Sequence, residues 1–339
     1  MRLPSFFLCL PALVFASCDG AEPPGCDDPC QCGQACIPQQ PPRTVDAAPD
    51  WGPDGRIAYT HTPLEPDSLG FDQIWVLDPT TGEREAITSG RLPDWSPNGR
   101  HLAFVRDSRI WRIDLETREE RQLTVEGDSG SPAWSSDGTR IAFSAGQSFT
   151  GSRDSVGVWT MDSNGEDYTY YVGDGASADW LPRENVLVFG PGLRDVSPYT
   201  ELALLSLDDR EITRLTDNEY DERYPAFSPE GTMIAWTALG EGLDNPANGV
   251  WTMRADGSQK QLLTPGAGAP GSTHRLVYPG HPSWSPDGAR LVYSAYNADS
   301  YTASLWTVNA DGSDPRPLTA PEDYPDWAAA LEQNGPFRP

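Results

Sequence analysis

The chain has 339 residues, with 50 acidic against 24 basic side chains and a formal net charge of −26. That balance argues against nucleic acid, which is held by Lys and Arg, and against electrostatic docking on anionic lipid. The 12 Trp, 12 Tyr and 10 Phe supply a large core, and 32 Gly with 33 Pro suit an all-β fold full of hairpins. In chain order, residues 1–17 come first. Arg2 is a minimal basic segment, Leu3 to Phe15 is apolar, and the small Ala16 and Ser17 precede Cys18. The stretch reads as a secretory signal, too short to span a membrane.

Residues 18–48 read as a tether rich in Cys and Pro. All six cysteines lie before residue 37. Cys26, Cys30, Cys32 and Cys36 follow a C-x3-C-x-C-x3-C spacing that does not match the usual zinc patterns. Export favours oxidation, so two disulfides are expected, with three pairings open. Pro38, Pro41 and Pro42 then make a partly extended stalk.

From residue 49 to 330 a unit of about 40–45 residues recurs. Its opening aromatic falls at Trp51, Trp95, Trp134, Trp180, Phe227 and Trp284. A tight turn follows: Pro53-Asp54-Gly55, Pro97-Asn98-Gly99, Ser136-Asp137-Gly138, Pro229-Glu230-Gly231 and Pro286-Asp287-Gly288. Pro presets φ and Gly accepts positive φ, so these residues specify the turn. Only the unit at Trp180 lacks the Gly, reading Pro182-Arg183-Glu184-Asn185. Each unit then carries a short apolar strand such as Leu291-Val292-Tyr293. A third strand such as Leu305-Trp306-Thr307-Val308 comes next, and the unit ends on a pair such as Leu318-Thr319 after a turn such as Asp311-Gly312, except in the third copy, whose end near Val172 is degenerate. Six four-stranded units predict a six-bladed β-propeller. Trp327 has no hairpin after it and is expected to help close the ring; residues 331–339 form a tail.

The pattern Trp-Ser-Pro-Asp-Gly, apolar strand, Leu-Trp, Asp-Gly and Leu-Thr resembles the WD40-like repeat of TolB-type β-propellers over roughly residues 47–327. The resemblance implies an envelope-associated interaction module without cofactor. Ala16-Ser17-Cys18 likewise resembles the lipobox of bacterial lipoproteins, which implies an exported chain acylated at Cys18 and held to the membrane by lipid alone.

Strand alternation puts the first-to-second and third-to-fourth connections on one face, where they are tight. The second-to-third connections and those between units share the other face, where they are long. Long loops on a rigid scaffold are where binding residues collect. The candidate binding face therefore comprises His61, His274, Arg275, Tyr278 and His281, with Tyr296 and Tyr301 in the loop 294–303. It would take an envelope protein or a glycan. The alternative is a polysaccharide lyase or hydrolase over the central channel, since some similar propellers are lyases that use clustered histidines and a metal. That activity would need His61, His274 and His281 to converge. The plainer reading of those histidines is a Gly/Pro-rich insertion with surface side chains. Gly127-Asp128-Ser129-Gly130 mimics a protease nucleophile motif but reads as a turn-rich loop. Asp162–Asp167 and Asn309–Asp314 resemble fragments of calcium loops, yet lack the closing Glu and read as hairpin turns. No catalytic residue is expected.

Overall fold

A computed structural model describes residues 44–63, 71–125, 128–146, 156–191, 199–240, 248–265, 276–297 and 302–319. The opening aromatic of a unit is followed in four copies by Ser, and the hydroxyl builds the turn. Ser285 Oγ accepts the N–H of Arg290 at 2.9 Å and donates to Asp287 Oδ1 at 2.6 Å. Asp287 in turn accepts the N–H of Ala289 at 3.0 Å. Ser96 with Asn98, and Ser135 with Asp137, repeat the arrangement. In the unit without the Gly, the left-handed residue is Arg183, at φ 68°.

The strands follow in fours. The first unit holds β1 (Thr44–Trp51), β2 (Ile57–Pro63), β3 (Gln73–Leu77) and β4 (Arg84–Ser89). The second holds β5 (Arg91–Trp95), β6 (His101–Arg106), β7 (Arg109–Asp114) and β8 (Glu120–Gln122). The third holds β9 (Ser129–Trp134), β10 (Arg140–Ala145), β11 (Gly157–Asp162) and β12 (Thr169–Gly173). The fourth holds β13 (Gly175–Trp180), β14 (Val186–Pro191), β15 (Ala203–Ser206) and β16 (Ile212–Arg214). The fifth holds β17 (Asp221–Phe227), β18 (Met233–Leu239), β19 (Gly249–Arg254) and β20 (Gln261–Pro265). The sixth holds β21 (Leu276–Trp284), β22 (Arg290–Asn297), β23 (Thr302–Asn309) and β24 (Arg316–Pro317). Within each unit neighbouring strands are antiparallel. The innermost strands β1, β5, β9, β13, β17 and β21 adjoin one another in a closed cycle. The chain is an all-β propeller; its described strands form four four-stranded sheets and one eight-stranded sheet, in which the first and sixth units join.

The core lies between blades. Ala58, Ile74 and Val76 of the first unit pack with Trp95, Leu102, Phe104 and Ile113 of the second. Second strands are buried on both faces, as β6 shows, because each sheet is covered on either side. The closing Thr ties the fourth strand to the third, since its Oγ1 accepts the N–H at or just before the third strand. The donors are Ile110 to Thr124 at 2.8 Å, Leu202 to Thr216 at 2.8 Å and Leu305 to Thr319 at 2.9 Å. Thr124→Val keeps the shape and removes this acceptor, together with the bond to Ser129 Oγ. It is expected to lower stability by about 1–2 kcal/mol, read from urea unfolding; an unchanged midpoint would refute the role.

Three boundaries differ from the sequence expectation. The first blade begins at Thr44 and not at 49, because Asp46 is register partner to His61 and Val45 bridges Ala303. Strands β22 and β23 stay paired out to Asn297 and Thr302, which shortens the loop expected over 294–303. Tyr278 and Tyr296 are consequently strand partners and not loop residues. The signal, the tether as far as residue 43 with its cysteines, His274, Arg275, Tyr301 and Trp327 lie outside the described residues.

The first and sixth units meet through side chains and one parallel bridge, Val45 to Ala303. Trp51 N–H donates to Ser283 Oγ at 3.0 Å, and Arg84 Nη2 donates to the Leu318 carbonyl at 3.2 Å. Ile57, Tyr59, Leu77, Val292 and Leu305 are buried together behind these bonds.

Candidate functional site

Each inner strand slips register just before its aromatic residue. The residue at the slip is Ala48, Leu92, Ser131, Ser177, Tyr224 or His281, and all six have φ between 48° and 53°. None is Gly, so each carries backbone strain of order 1–2 kcal/mol. All six line the central channel, a cavity of about 260 Å³.

The residue just before the aromatic also lines the channel. It is Asp50, Asp94, Ala133, Asp179, Ala226 or Ser283 in turn. Where it is Asp, Oδ2 accepts the backbone N–H of the next blade's aromatic. Trp95 donates to Asp50, Trp134 to Asp94 and Phe227 to Asp179, each at 2.7 Å. Where it is Ala, the carbonyl accepts the next blade's indole N–H: Trp180 to Ala133 at 2.9 Å and Trp284 to Ala226 at 3.1 Å. Ser283 completes the circuit, accepting from Trp51 and donating to Asp50 Oδ1 at 2.9 Å. Every blade is clasped to the next by this one position.

The acids are partly buried where they line the channel. Burial pushes Asp50 up to about 6 and Asp179 up to about 7. Asp94 is raised well above the usual carboxylate range, by burial first and then by the charge of Asp50. His281 stacks on Tyr224 with ring centroids 3.5 Å apart, and burial alone pushes it down to about 4, so it is neutral at pH 7.

The residues expected from sequence separate. His281 is brought to the channel, from an inner strand and not from a loop, because the register slip turns it inward. His61 lies in β2, where Nδ1 is 2.6 Å from Asp46 Oδ1 and the ring tilts against Trp75 at 4.9 Å. Among the described residues no three His, Cys, Asp or Glu side chains come together as a metal site. Ser129 of the protease-like motif is buried and bonded to Thr124, a scaffold position. Asp162 and Asp311 cap hairpin turns by accepting backbone N–H groups from Asn164 and Ser313, each at 2.9 Å. Sequence reasoning passes over Asp50, Asp94 and Asp179. Their signal is an acid one residue before the aromatic in three of the repeats.

A family model described as the TolB beta propeller domain matches residues 42–274. The uncharacterized peptidase YuxL of Bacillus subtilis (strain 168) is 30% identical over 202 residues, 56% of this chain and 29% of that protein. Tol-Pal system protein TolB 1 of Novosphingobium aromaticivorans is 37% identical over 86 residues, 23% of this chain and 18% of that protein. The chain thus spans less than a third of the length of these curated relatives. Among solved structures, a TolB candidate from Agrobacterium tumefaciens superposes with TM-score 0.59 at 21% identity, covering 73% of this chain and 87% of that one. An oligogalacturonate lyase in complex with manganese gives TM-score 0.54 at 15% identity, covering 81% and 77%. At such identities these structures establish the fold alone.

Proposed function

The chain belongs to the TolB beta propeller family, and on that basis we propose that it is an exported, non-enzymatic binding module of a bacterial envelope. It is held to the membrane by lipid on Cys18, and Cys26, Cys30, Cys32 and Cys36 staple the tether as two disulfides. The propeller takes a protein partner over its central channel, and the rim formed by the longer connections, with His274, Arg275 and Tyr301, completes the contact. The observation that carries this reading is the channel itself. Six equivalent, strained positions face one recess, yet no two neighbours around it match except Ser131 and Ser177. Scaffold positions repeat from blade to blade; these vary, as positions that meet a ligand do.

The test uses the full chain as bait in detergent-solubilised envelope extract, after fractionation has placed the chain with the membranes. One protein retained in stoichiometric amount is the expected result. Retention no greater than on an empty matrix would overturn the reading. So would steady turnover of an oligosaccharide or peptide that a single substitution abolishes.

A further inference from the structure

We propose that the segment 320–339 of this chain docks in a crevice between the sixth and first units, on the face of the tight turns, with Trp327 as its anchor. The crevice holds about 660 Å³ and shares only Trp51 with the central channel. Trp51, Pro79, Pro286 and Pro317 give it apolar walls, and Arg290 and Leu318 line it too.

This seam is open where the others are shut. A Cβ built on the turn glycine of a unit meets the unit before it: Gly99 at Pro53, 3.4 Å, Gly138 at Pro97, 3.3 Å, Gly231 at Leu181, 2.8 Å, and Gly288 at Glu230, 2.9 Å. Gly55, the equivalent in the first unit, has nothing within 4 Å. The later hairpin repeats the contrast. Gly165, Gly257 and Gly312 lie against the carbonyl of the preceding unit's closing Leu, at 2.6, 3.2 and 3.2 Å, while Gly82 again has nothing within 4 Å. The opening aromatics of the other five units are buried, whereas Trp51 is only partly so. Arg290 Nη2 donates to Thr307 Oγ1 at 2.7 Å, but Arg290 Nε is shut off from water with no hydrogen-bond partner among the described residues. The crevice thus calls for apolar bulk against Trp51 and an acceptor for Arg290.

Residues 320–339 supply both. The described chain ends at Thr319, one residue past Leu318 in the crevice wall. Trp327 follows within a reach of about 26 Å of extended chain. Glu322, Asp323 and Asp326 offer carboxylates to Arg290, and the segment's basic side chain, Arg338, lies well beyond them. Tyr324-Pro325-Asp326-Trp327 also repeats the inner-strand signature of Ala48-Pro49-Asp50-Trp51 and Leu92-Pro93-Asp94-Trp95. The inner places are already taken by β1, β5, β9, β13, β17 and β21 in a closed cycle, so this further copy has no place in the ring. The open seam beside its root is where its aromatic goes, and the segment clamps the join of the ring from outside.

The experiment uses the full chain with the photoreactive p-benzoylphenylalanine in place of Trp327, irradiated and mapped by peptide mass spectrometry. The expected result is a monomeric product cross-linked to the turns around Pro53, Pro79 or Pro286. Arg290→Gln should lower the yield about threefold, while Glu116→Gln, on an exposed turn, leaves it unchanged. Hydrogen exchange gives a second reading in the folded protein. Trp327→Ala should speed exchange in the turns at 53–55 and 79–82 by about threefold and leave the turn at 97–99 as it was. A cross-link elsewhere on the propeller, a yield that ignores Arg290→Gln, or equal exchange at all three turns in both proteins would overturn the proposal. So would a cross-linked dimer, which would assign the crevice to a second copy of the chain.

Discussion

Asp179→Asn is expected to make the protein more stable at pH 8, by on the order of 3 kcal/mol. Burial lifts the Asp179 carboxyl to about 7 in the folded chain. Between about pH 4, where an ordinary Asp ionises, and that value, the folded chain keeps a proton that the unfolded chain has released. The stability Asp179 contributes is therefore complete below about pH 4 and is lost as pH rises through 7. Asp50, raised to about 6, and Asp94, also raised, add in the same direction. His281 has the opposite sign. Its folded value of about 4 is depressed, so its contribution is present above about pH 6.5 and fades as pH falls. Above about pH 6.5 it is neutral in both states, and the acids act alone there. The Asn amide oxygen can still accept the Phe227 N–H, so the clasp between blades survives while the charge goes. Urea unfolding at pH 6 and pH 8 reads the effect. The wild type should lose stability between the two, and the variant should lose less. A variant weaker than wild type at pH 8, or a wild type whose midpoint does not move, would sink the account.

Gly249→Ala should cost about 3–5 kcal/mol. A Cβ at this position would lie 2.1 Å from the Thr264 carbonyl oxygen and 2.7 Å from Leu262 Cδ1. That oxygen belongs to a paired strand: Val250 faces Thr264 in the ladder, so the backbone cannot simply move aside. Gly157 repeats the situation in the third unit, 2.0 Å from the Val172 oxygen. Gly55 gives the contrast. Its φ is 89°, but nothing lies within 4 Å of a Cβ built there. Gly55→Ala should therefore cost only the left-handed strain, about 1–2 kcal/mol. Unfolding midpoints for Gly249→Ala and Gly55→Ala check the ordering, and equal losses would show that the carbonyl contact carries no weight.

The scaffold is open to reading because its causes are local. Ser285, Asp287 and Gly288 build their turn within six residues, and Leu-Thr closes a strand onto its neighbour. These repeat in phase, so each copy supports the next. The channel is not open in the same way. Asp50 lies next to Trp51 and close to a Pro-Asp-Gly turn, and so passes for a surface acid. Its burial arises because strands from all six units converge, a long-range effect that no local pattern records. His281 reads as a loop residue because Pro and Gly surround it. The strand runs through those residues by a register slip, which tolerates the break in alternation. The acid preceding the aromatic in three copies is the available clue.

Each blade comes from one uninterrupted stretch of chain, and among the described residues the first and last blades exchange no strand. Among the described residues strand pairing is accordingly between neighbours in sequence, unusual for an all-β chain, apart from one distant joining event. That event joins Trp51 to Ser283, 232 residues apart. Loop closure over such a span is entropically the costliest step available to the molecule. The ring should therefore assemble as an open arc, blade upon blade, and join its ends last. Under mechanical load or partial denaturation the same join, held by Ser283, Arg84 and one parallel bridge, is where the arc would reopen.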